Sequence, residues 1–225
     1  MKKLLLIGVI AAILLAGIGT VSAANLVSNG GFENSGPIPA HPNFLTVPPG
    51  TLNDWTIVSG NIQVIGSKYW TPQEGSNSID LAGTVPGVIK QSIPTVNGAT
   101  YTLSFFMAGN PDNQAIAQVV KRLEIYWDGS PLAPLQTFDV TGKTRTNMGW
   151  VQVTIHGLKA TSSSTVLQFE NEFPNNAYGV ALDNISVTPA DQPIPTPEFP
   201  TAALPAALIV GLIGAVLFIQ KSKDN

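Results

Sequence analysis

The chain has 225 residues, of which 44% are hydrophobic and 11% are charged, with 11 basic side chains, 14 acidic ones and no cysteine. This length accommodates one ordinary domain with its attachments, and the lack of cysteine excludes disulfides, metal thiolate sites and thiol nucleophiles. Residues 25–188 carry seven basic and eleven acidic side chains, hence a net charge of −4, which argues against nucleic acid as a partner because its binding relies on clustered Lys and Arg.

The N-terminal segment, residues 1–24, has the anatomy of a secretory signal peptide. Two lysines precede an apolar run over residues 4–18, and the small residues of the GTVSAA end suit cleavage by signal peptidase after Ala23 or Ala24. An uncleaved membrane helix is the alternative interpretation. Both interpretations predict that the following domain is exported.

Residues 25–188 are predicted to form an all-β domain, because apolar residues recur with period two and Gly, Pro, Asn and Asp interrupt the runs. The predicted strands are 62–65, 77–82, 87–93, 100–108, 119–127, 135–140, 150–158, 164–172 and 179–187. Nine strands at this spacing favour a two-sheet sandwich. Alternation predicts core-facing rows on four strands, namely Tyr101, Leu103, Phe105 and Met107; Leu123, Ile125 and Trp127; Val151, Val153 and Ile155; and Leu167 with Phe169.

Long polar loops are predicted at 34–54, 66–76, 108–118 and 171–178, and long loops on a rigid sandwich commonly carry binding residues. Tyr69 and Trp70 lie together in one of these loops, and Tyr178 ends another. Exposed aromatic rings stack on the C–H face of a pyranose, so these three are the candidate ligand-binding residues. Burial as packing residues is the alternative, whereas Trp55 and Trp150, which adjoin strands, are predicted to lie in the core.

Asp183, in the segment GVALDNISV, is in phase with Ile185 and Val187 and is therefore predicted to share their core-facing row. A carboxylate there needs backbone N–H groups, a basic side chain or a cation to satisfy it. Calcium takes carboxylate and carbonyl oxygens, and Glu33 in LVSNGGFEN is the second candidate ligand. Hydrogen bonds from a neighbouring loop to Asp183, with Glu33 in solvent, are the alternative.

Candidate catalytic residues are sparse. Only His41 and His156 could act as a base near neutral pH, and neither lies in a recognisable Ser or carboxylate motif. The sequence therefore predicts a protein that is not an enzyme. A carboxylate pair that hydrolyses an extracellular glycoside is the weaker hypothesis.

The C-terminal region is predicted to comprise a Pro-rich linker over 189–200, a transmembrane helix over 201–220 and a basic cytoplasmic tail over 221–225. The prolines of the linker exclude a strand ladder there. The apolar segment reaches the lower length limit for crossing a bilayer, and the lysines behind it mark the cytoplasmic side. This orientation agrees with export of the domain that precedes it.

The domain resembles a known family. The blocks NLVSNGGFE, GSNSIDLAGTVPGVIKQSI, GATYTLSFFMAGNP, STVLQFEN and GVALDNISV occur in the order of the choice-of-anchor C family, and residues 25–188 resemble it and, more distantly, plant cell-wall proteins that contain DUF642. The resemblance implies a galactose-binding-like jelly roll, a fold used by non-catalytic carbohydrate-binding modules, with a structural calcium at the positions of Glu33 and Asp183. Many relatives have two acids where this chain has Asp183 and Asn184, which lowers the expected calcium affinity.

The tail is similar to the archaeal PEF-CTERM sorting signal, in which a short motif precedes an apolar helix and a basic end. The motif residues here are Pro197, Glu198, Phe199, Pro200 and Thr201. Such tails are processed by archaeosortase-like membrane proteases, which implies a membrane anchor that is temporary. The resulting prediction is a non-enzymatic archaeal cell-surface protein that binds a surface glycan or an envelope partner. A structural or adhesive protein that recognises protein rather than sugar is the alternative.

Overall fold

The computed structural model describes residues 24–114, 118–172 and 177–190. The chain divides into two compact units, Met1–Ala190 and Asp191–Asn225, and all described residues belong to the first. The predicted signal peptide up to Ala23, and the predicted PEF motif, transmembrane helix and basic tail, lie outside the described residues. Within the described ranges, no helix has the length and apolar character needed to span a membrane.

The described part of the chain contains thirteen strands and no helix, so the predicted all-β fold is confirmed. The strands are β1 (Phe44–Val47), β2 (Gly50–Leu52), β3 (Trp55–Ser59), β4 (Ile62–Gly66), β5 (Asn77–Asp80), β6 (Val88–Pro94), β7 (Thr100–Gly109), β8 (Val120–Trp127), β9 (Ser130–Pro131), β10 (Gln136–Asp139), β11 (Val151–Lys159), β12 (Ser164–Asn171) and β13 (Val180–Pro189).

These strands form two antiparallel sheets that pack into a sandwich, as predicted. The six-stranded sheet has the order β1-β4-β5-β13-β7-β11, and the seven-stranded sheet has the order β10-β8-β12-β6-β3-β2, with β9 paired to β8. Strands that neighbour each other in a sheet are mostly distant in sequence, so most of the pairing is long-range. The apolar rows of both sheets face inwards and form a single core.

The first two strands lie inside the segment 34–54, which the sequence predicts as loop. Each has four residues or fewer, and two prolines lie between them. So short a segment shows little period-two alternation. Strand β1 forms because it pairs with β4, where Phe44 is opposite Ile65, and this tertiary pairing outweighs the weak local preference.

Aromatic side chains fill the centre of the core. Phe105 and Phe169 meet edge to face with ring centroids 5.4 Å apart, and the Trp55 ring lies 6.2 Å from Phe169. All three side chains are fully buried, which confirms the core prediction for Trp55 and for the rows on β7 and β12. Trp127 ends the buried row on β8, as predicted.

The predicted core row on β11 is only partly correct. Val151 is 51% exposed, and Val153 and Ile155 are half-buried. The register places Val151 opposite Met107 and Ile155 opposite Leu103, so the row does face the core side. It is exposed because β11 is an edge strand of the six-stranded sheet, with a neighbouring strand on one side only.

Candidate functional site

The loop over residues 66–76 buries the indole ring of Trp70 against the six-stranded sheet. Trp70 is 2% exposed, and its Nε1 donates a hydrogen bond to Ser78 Oγ at 2.7 Å. Ser78 precedes the core residue Ile79, so it faces away from the core. The loop therefore covers the outer side of this sheet, and Trp70 has no exposed ring face for a sugar.

Tyr69 holds the same loop to two others. Its hydroxyl donates to Asp112 Oδ2 at 2.7 Å and accepts from Arg145 Nη2 at 2.8 Å, while the guanidinium carbon lies 4.0 Å from the ring centroid. Burial, and then the hydrogen bond to Asp112, raises the pKa of Tyr69 to about 12. The ring and the hydroxyl both serve this junction, which Arg145 and Asp112 close with a 2.8 Å ion pair.

Tyr178 has a different hydrogen-bond partner from Tyr69 and Trp70. It is half-buried with a positive φ of 81°, and its hydroxyl accepts a hydrogen bond from Asn113 Nδ2 at 3.1 Å. Of the three predicted aromatic residues, only Tyr69 and Trp70 contact each other, with ring centroids 5.9 Å apart.

Asp183 lies on the opposite face of its strand from the predicted one. In the pairing of β13 with β7, Asp183 is opposite Phe106 and Val187 is opposite Leu103, with a register shift between them. Residues directly opposite in an antiparallel pair share a sheet face, and Leu103 belongs to the core row whereas Phe106 does not. Asn184, at a φ of 48°, lies in this bulge, and the extra residue breaks the alternation on which the prediction rested.

The buried Asp183 carboxylate is satisfied by backbone amides. Its Oδ2 accepts from Gln73 N at 2.8 Å and Glu74 N at 3.1 Å, and its Oδ1 accepts from Asn184 N at 2.7 Å. Asp183 is fully buried, and burial raises its pKa to about 7 although these amides oppose the shift; the nearby Glu33 charge raises it further. The loop over residues 66–76 thus supplies the partners expected under the loop alternative.

Glu33 holds the next turn of the same loop. Its Oε1 accepts from Ser76 N at 2.8 Å and from Asn77 N at 3.0 Å. A Cβ built on Gly31 would lie 3.8 Å from Asp183 Oδ1 and 3.9 Å from the Cγ of Glu33. Both side chains therefore lie beside Gly31, and the Glu33 charge acts on the Asp183 carboxyl.

This carboxylate pair has the donor chemistry of a calcium site but few ligands. Calcium takes six to eight oxygens from carboxylates, carbonyls and water, and Glu33 and Asp183 supply carboxylate oxygens. Among the described residues, no cluster of three or more His, Cys, Asp or Glu side chains could hold a metal. A calcium ion here would therefore depend on carbonyl oxygens or water to complete its shell.

Gly75 allows the loop to approach Glu33, and replacing it by alanine is expected to lower the free energy of unfolding by about 2–3 kcal/mol, because the left-handed backbone is strained and the displaced Glu33 carboxylate loses its bonds to Ser76 N and Asn77 N. The φ of Gly75 is +62°, and an added Cβ would lie 2.2 Å from Glu33 Oε1. Gly36 is a matched control, because its φ is +82° but an added Cβ would meet nothing within 4 Å. Gly36→Ala should cost only about 1 kcal/mol. Equal losses in denaturant unfolding of the two variants would contradict the close approach.

A groove on the outer face of the seven-stranded sheet is the second candidate site. Its volume is about 420 Å³, which lies within the usual range for ligand pockets. It is lined by Lys90, Tyr126, Asp128, Gly129, Val166, Gln168 and Glu170. The register places Gln168 directly between Lys90 on β6 and Tyr126 on β8, so three polar side chains form one row across three strands.

Tyr126 is the aromatic residue of this groove, and it was not among the predicted site residues. Its hydroxyl donates to Glu124 Oε2 at 2.7 Å, and this hydrogen bond, ahead of burial, raises the pKa of Tyr126 to about 12. The ring is half-buried. The sequence does indicate that Tyr126 faces outwards, because Leu123, Ile125 and Trp127 on the same strand form a core row. The neighbours that complete the groove come from other strands, so the sequence does not indicate the groove itself.

Residues 25–188 match the family described as "Protein of unknown function (DUF642)". The chain belongs to the DUF642 family. A curated relative of this DUF642 chain is halomucin of the archaeon Haloquadratum walsbyi, 34% identical over 186 residues that cover 80% of this chain and 2% of halomucin. The DUF642 chain thus spans a very small part of that relative's length.

Solved structures similar to this DUF642 chain include several carbohydrate-binding modules. A CBM35 from Paenibacillus barcinonensis is 18% identical, with 65% of this chain and 99% of that chain covered and a TM-score of 0.42. TmCBM61, solved in complex with β-1,4-galactotriose, is 13% identical, with 75% and 100% covered and a TM-score of 0.41. These values are too low to transfer a ligand or a residue's role to the DUF642 chain.

Proposed function

We propose that this chain is a non-catalytic glycan-binding protein of the cell surface and that the groove on the seven-stranded sheet holds the glycan. The observation that carries the proposal is the row of Lys90, Gln168 and Tyr126 across three rigid strands. A pyranose can stack its C–H face on the tyrosine ring, while the amide and the ammonium bond its hydroxyl groups. Strand positions hold such groups more rigidly than loops do.

The test is a glycan array followed by titration of the full chain with the best glycan. Tyr126→Ala should weaken binding about five-fold or more, because loss of an aromatic contact costs on the order of 1 kcal/mol or more. Tyr178→Ala, in a predicted binding loop, should leave the affinity unchanged. Loss of binding in Tyr178→Ala but not in Tyr126→Ala would place the site in the loops instead.

The same array distinguishes the two rival functions. Retention of no glycan would contradict the proposal and favour a structural or adhesive protein that recognises another protein. Cleavage of a bound glycan, detected as new reducing ends, would contradict the non-catalytic part of the proposal and support the glycoside hydrolase hypothesis.

We also propose that calcium binds between Glu33 and Asp183 as a structural ion. Two observations support the proposal: the Glu33 and Asp183 side chains both lie beside Gly31, and the Glu33 charge is unfavourable for the buried Asp183 carboxylate. A divalent cation would offset that repulsion. By holding both carboxylates, it would also hold the loop over residues 66–76 that bonds to them.

For the two ends of the chain we propose export by signal peptidase and anchoring through an archaeosortase-processed tail. The support is the basic and apolar N-terminus with small residues at Ala23 and Ala24, and the PEFPT motif between a Pro-rich linker and an apolar segment. The mass of the mature protein from membranes should correspond to loss of both ends. A mature protein that retains Lys221 and Lys223 would instead indicate a permanent membrane anchor.

A further inference from the structure

Carboxylates crowd one end of the groove. Glu170 on β12 is directly opposite Glu124 on β8, an arrangement of like charges that is unfavourable within a sheet. Burial, and then the neighbouring Glu124, raises the pKa of the Glu172 carboxyl. Asp128 lines the opposite end of the groove, from the turn after β8, where its backbone N–H bonds to Val166 O. The surface therefore concentrates negative charge where a ligand would lie.

Two basic side chains oppose these four acidic ones. Arg122 is exposed, and its charge acts on Glu172, whose pKa it lowers. Lys90 lies in the polar row, opposite Gln168 on one side and Thr56 on the other. Tyr126 is neutral, since the hydrogen bond to Glu124 raises its pKa to about 12. The charged groups of the groove and its acidic end thus sum to a net negative charge.

We infer that the groove selects glycans without acidic groups and discriminates against polyuronates and sulfated glycans. This inference rests on the proposed glycan-binding function and names the class of ligand. The carboxylates of Glu170 and Asp128 accept hydrogen bonds from sugar hydroxyls, and bonds to a charged acceptor are the stronger ones. A carboxylate or sulfate on the sugar would instead meet like charge in a site from which it displaces water.

The selectivity depends on the net charge of the groove and not on the single positive charge of Lys90. A single ammonium can pair with one acidic sugar, but a chain that carries an acid on each residue would also place acids beside Glu124 and Glu170. Lys90 therefore acts as one hydrogen-bond donor to a neutral chain. The interaction is electrostatic at an open surface, so it weakens as salt screens it.

The test uses neutral hexasaccharides of hexoses and the same chains oxidised to carboxylates at C6, so that only the charge differs. At about 20 mM salt, the full chain should bind each oxidised hexasaccharide at least about ten-fold more weakly than its neutral parent, and the difference should shrink at about 1 M salt. Glu170→Gln should reduce the difference. Glu74→Gln removes the same charge from the loop that covers the other sheet and should not.

Three outcomes would count against the inference, and they are distinguishable. Oxidised chains that bind as tightly as their parents overturn the selectivity and leave glycan binding intact. A difference that Glu74→Gln reduces as much as Glu170→Gln assigns it to the charge of the whole molecule and overturns the role of the groove. Binding of neither form contradicts the proposed function itself.

Discussion

Replacing Asp183 by alanine is expected to lower the free energy of unfolding by about 3–5 kcal/mol. The substitution leaves the backbone amides of Gln73, Glu74 and Asn184 without the acceptor that they have in the native fold, and buried unsatisfied donors cost about 1–3 kcal/mol each. The loop over residues 66–76 should loosen as a result. Denaturant unfolding followed by tryptophan fluorescence measures the loss, and Trp70 reports on the loop directly.

The effect of calcium on melting distinguishes the two roles of the Asp183 carboxylate, which are to accept hydrogen bonds from the loop and to bind the proposed ion. If the proposed ion binds only the folded state, calcium raises the melting temperature of the native chain by mass action, and Asp183→Ala abolishes the increase. Asp183→Asn keeps an oxygen acceptor for the amides but loses the charge, so it should recover part of the stability without the calcium response. Identical melting of the native chain with calcium and with chelator would contradict the metal proposal and leave the hydrogen-bonding role standing.

Between pH 5 and pH 8, the stability of the domain is expected to fall as the pH rises, in part because of Asp80. This carboxyl is fully buried, and burial raises its pKa to about 7 although hydrogen bonds from Asn110, Ala82 and Gly179 oppose the shift. The unfolded chain has an ordinary carboxyl with a pKa near 3.8. From pH 5 to about pH 7 the folded state therefore holds a proton that the unfolded state has released, and each pH unit over which it does so lowers the stability by about 1.4 kcal/mol.

The variant Asp80→Asn isolates this contribution. It cannot ionise, so its free energy of unfolding should fall less between pH 5 and pH 8 than that of the native chain, by roughly 2 kcal/mol. The comparison is a difference between variants, so the similar titration of Asp183 cancels. The exposed Asp139 provides the control, because its pKa is lowered by hydrogen bonds from Thr141 and Asp139→Asn should leave the slope unchanged. The same slope in all three proteins would show that Asp80 is ionised throughout this range.

The carboxylate site shows how far sequence reasoning reaches. The residues indicate Glu33 as a candidate partner of Asp183, because an acid among apolar strand residues needs something to satisfy it, and the family resemblance implies the same pair. The bulge at Asn184 could not be predicted, since it arises from the unequal pairing of β13 with β7. It decides which face of the sheet carries Asp183, and hence which loop can bond to it.

The aromatic residues illustrate the opposite case. Local sequence placed Tyr69 and Trp70 correctly in a polar loop, but whether a loop residue is exposed depends on what the loop covers. The loop over residues 66–76 folds onto the sheet and buries Trp70, and Arg145 and Asp112 from other loops occupy Tyr69. These partners are distant in sequence, so no local pattern predicts the contacts.

The amino-acid sequence by itself determines the all-β class, the two-sheet sandwich, most of the core rows and the exclusion of thiol chemistry. Each of these depends on residue type or on alternation within a single strand. The strands within 34–54, the exposure of β11, the burial of Trp70 and the existence of the groove depend instead on tertiary contacts. The groove requires Lys90, Gln168 and Tyr126 to lie in register on β6, β12 and β8. Register between strands so far apart in the chain is set by packing of the whole core, and therefore appears only when the chain has folded.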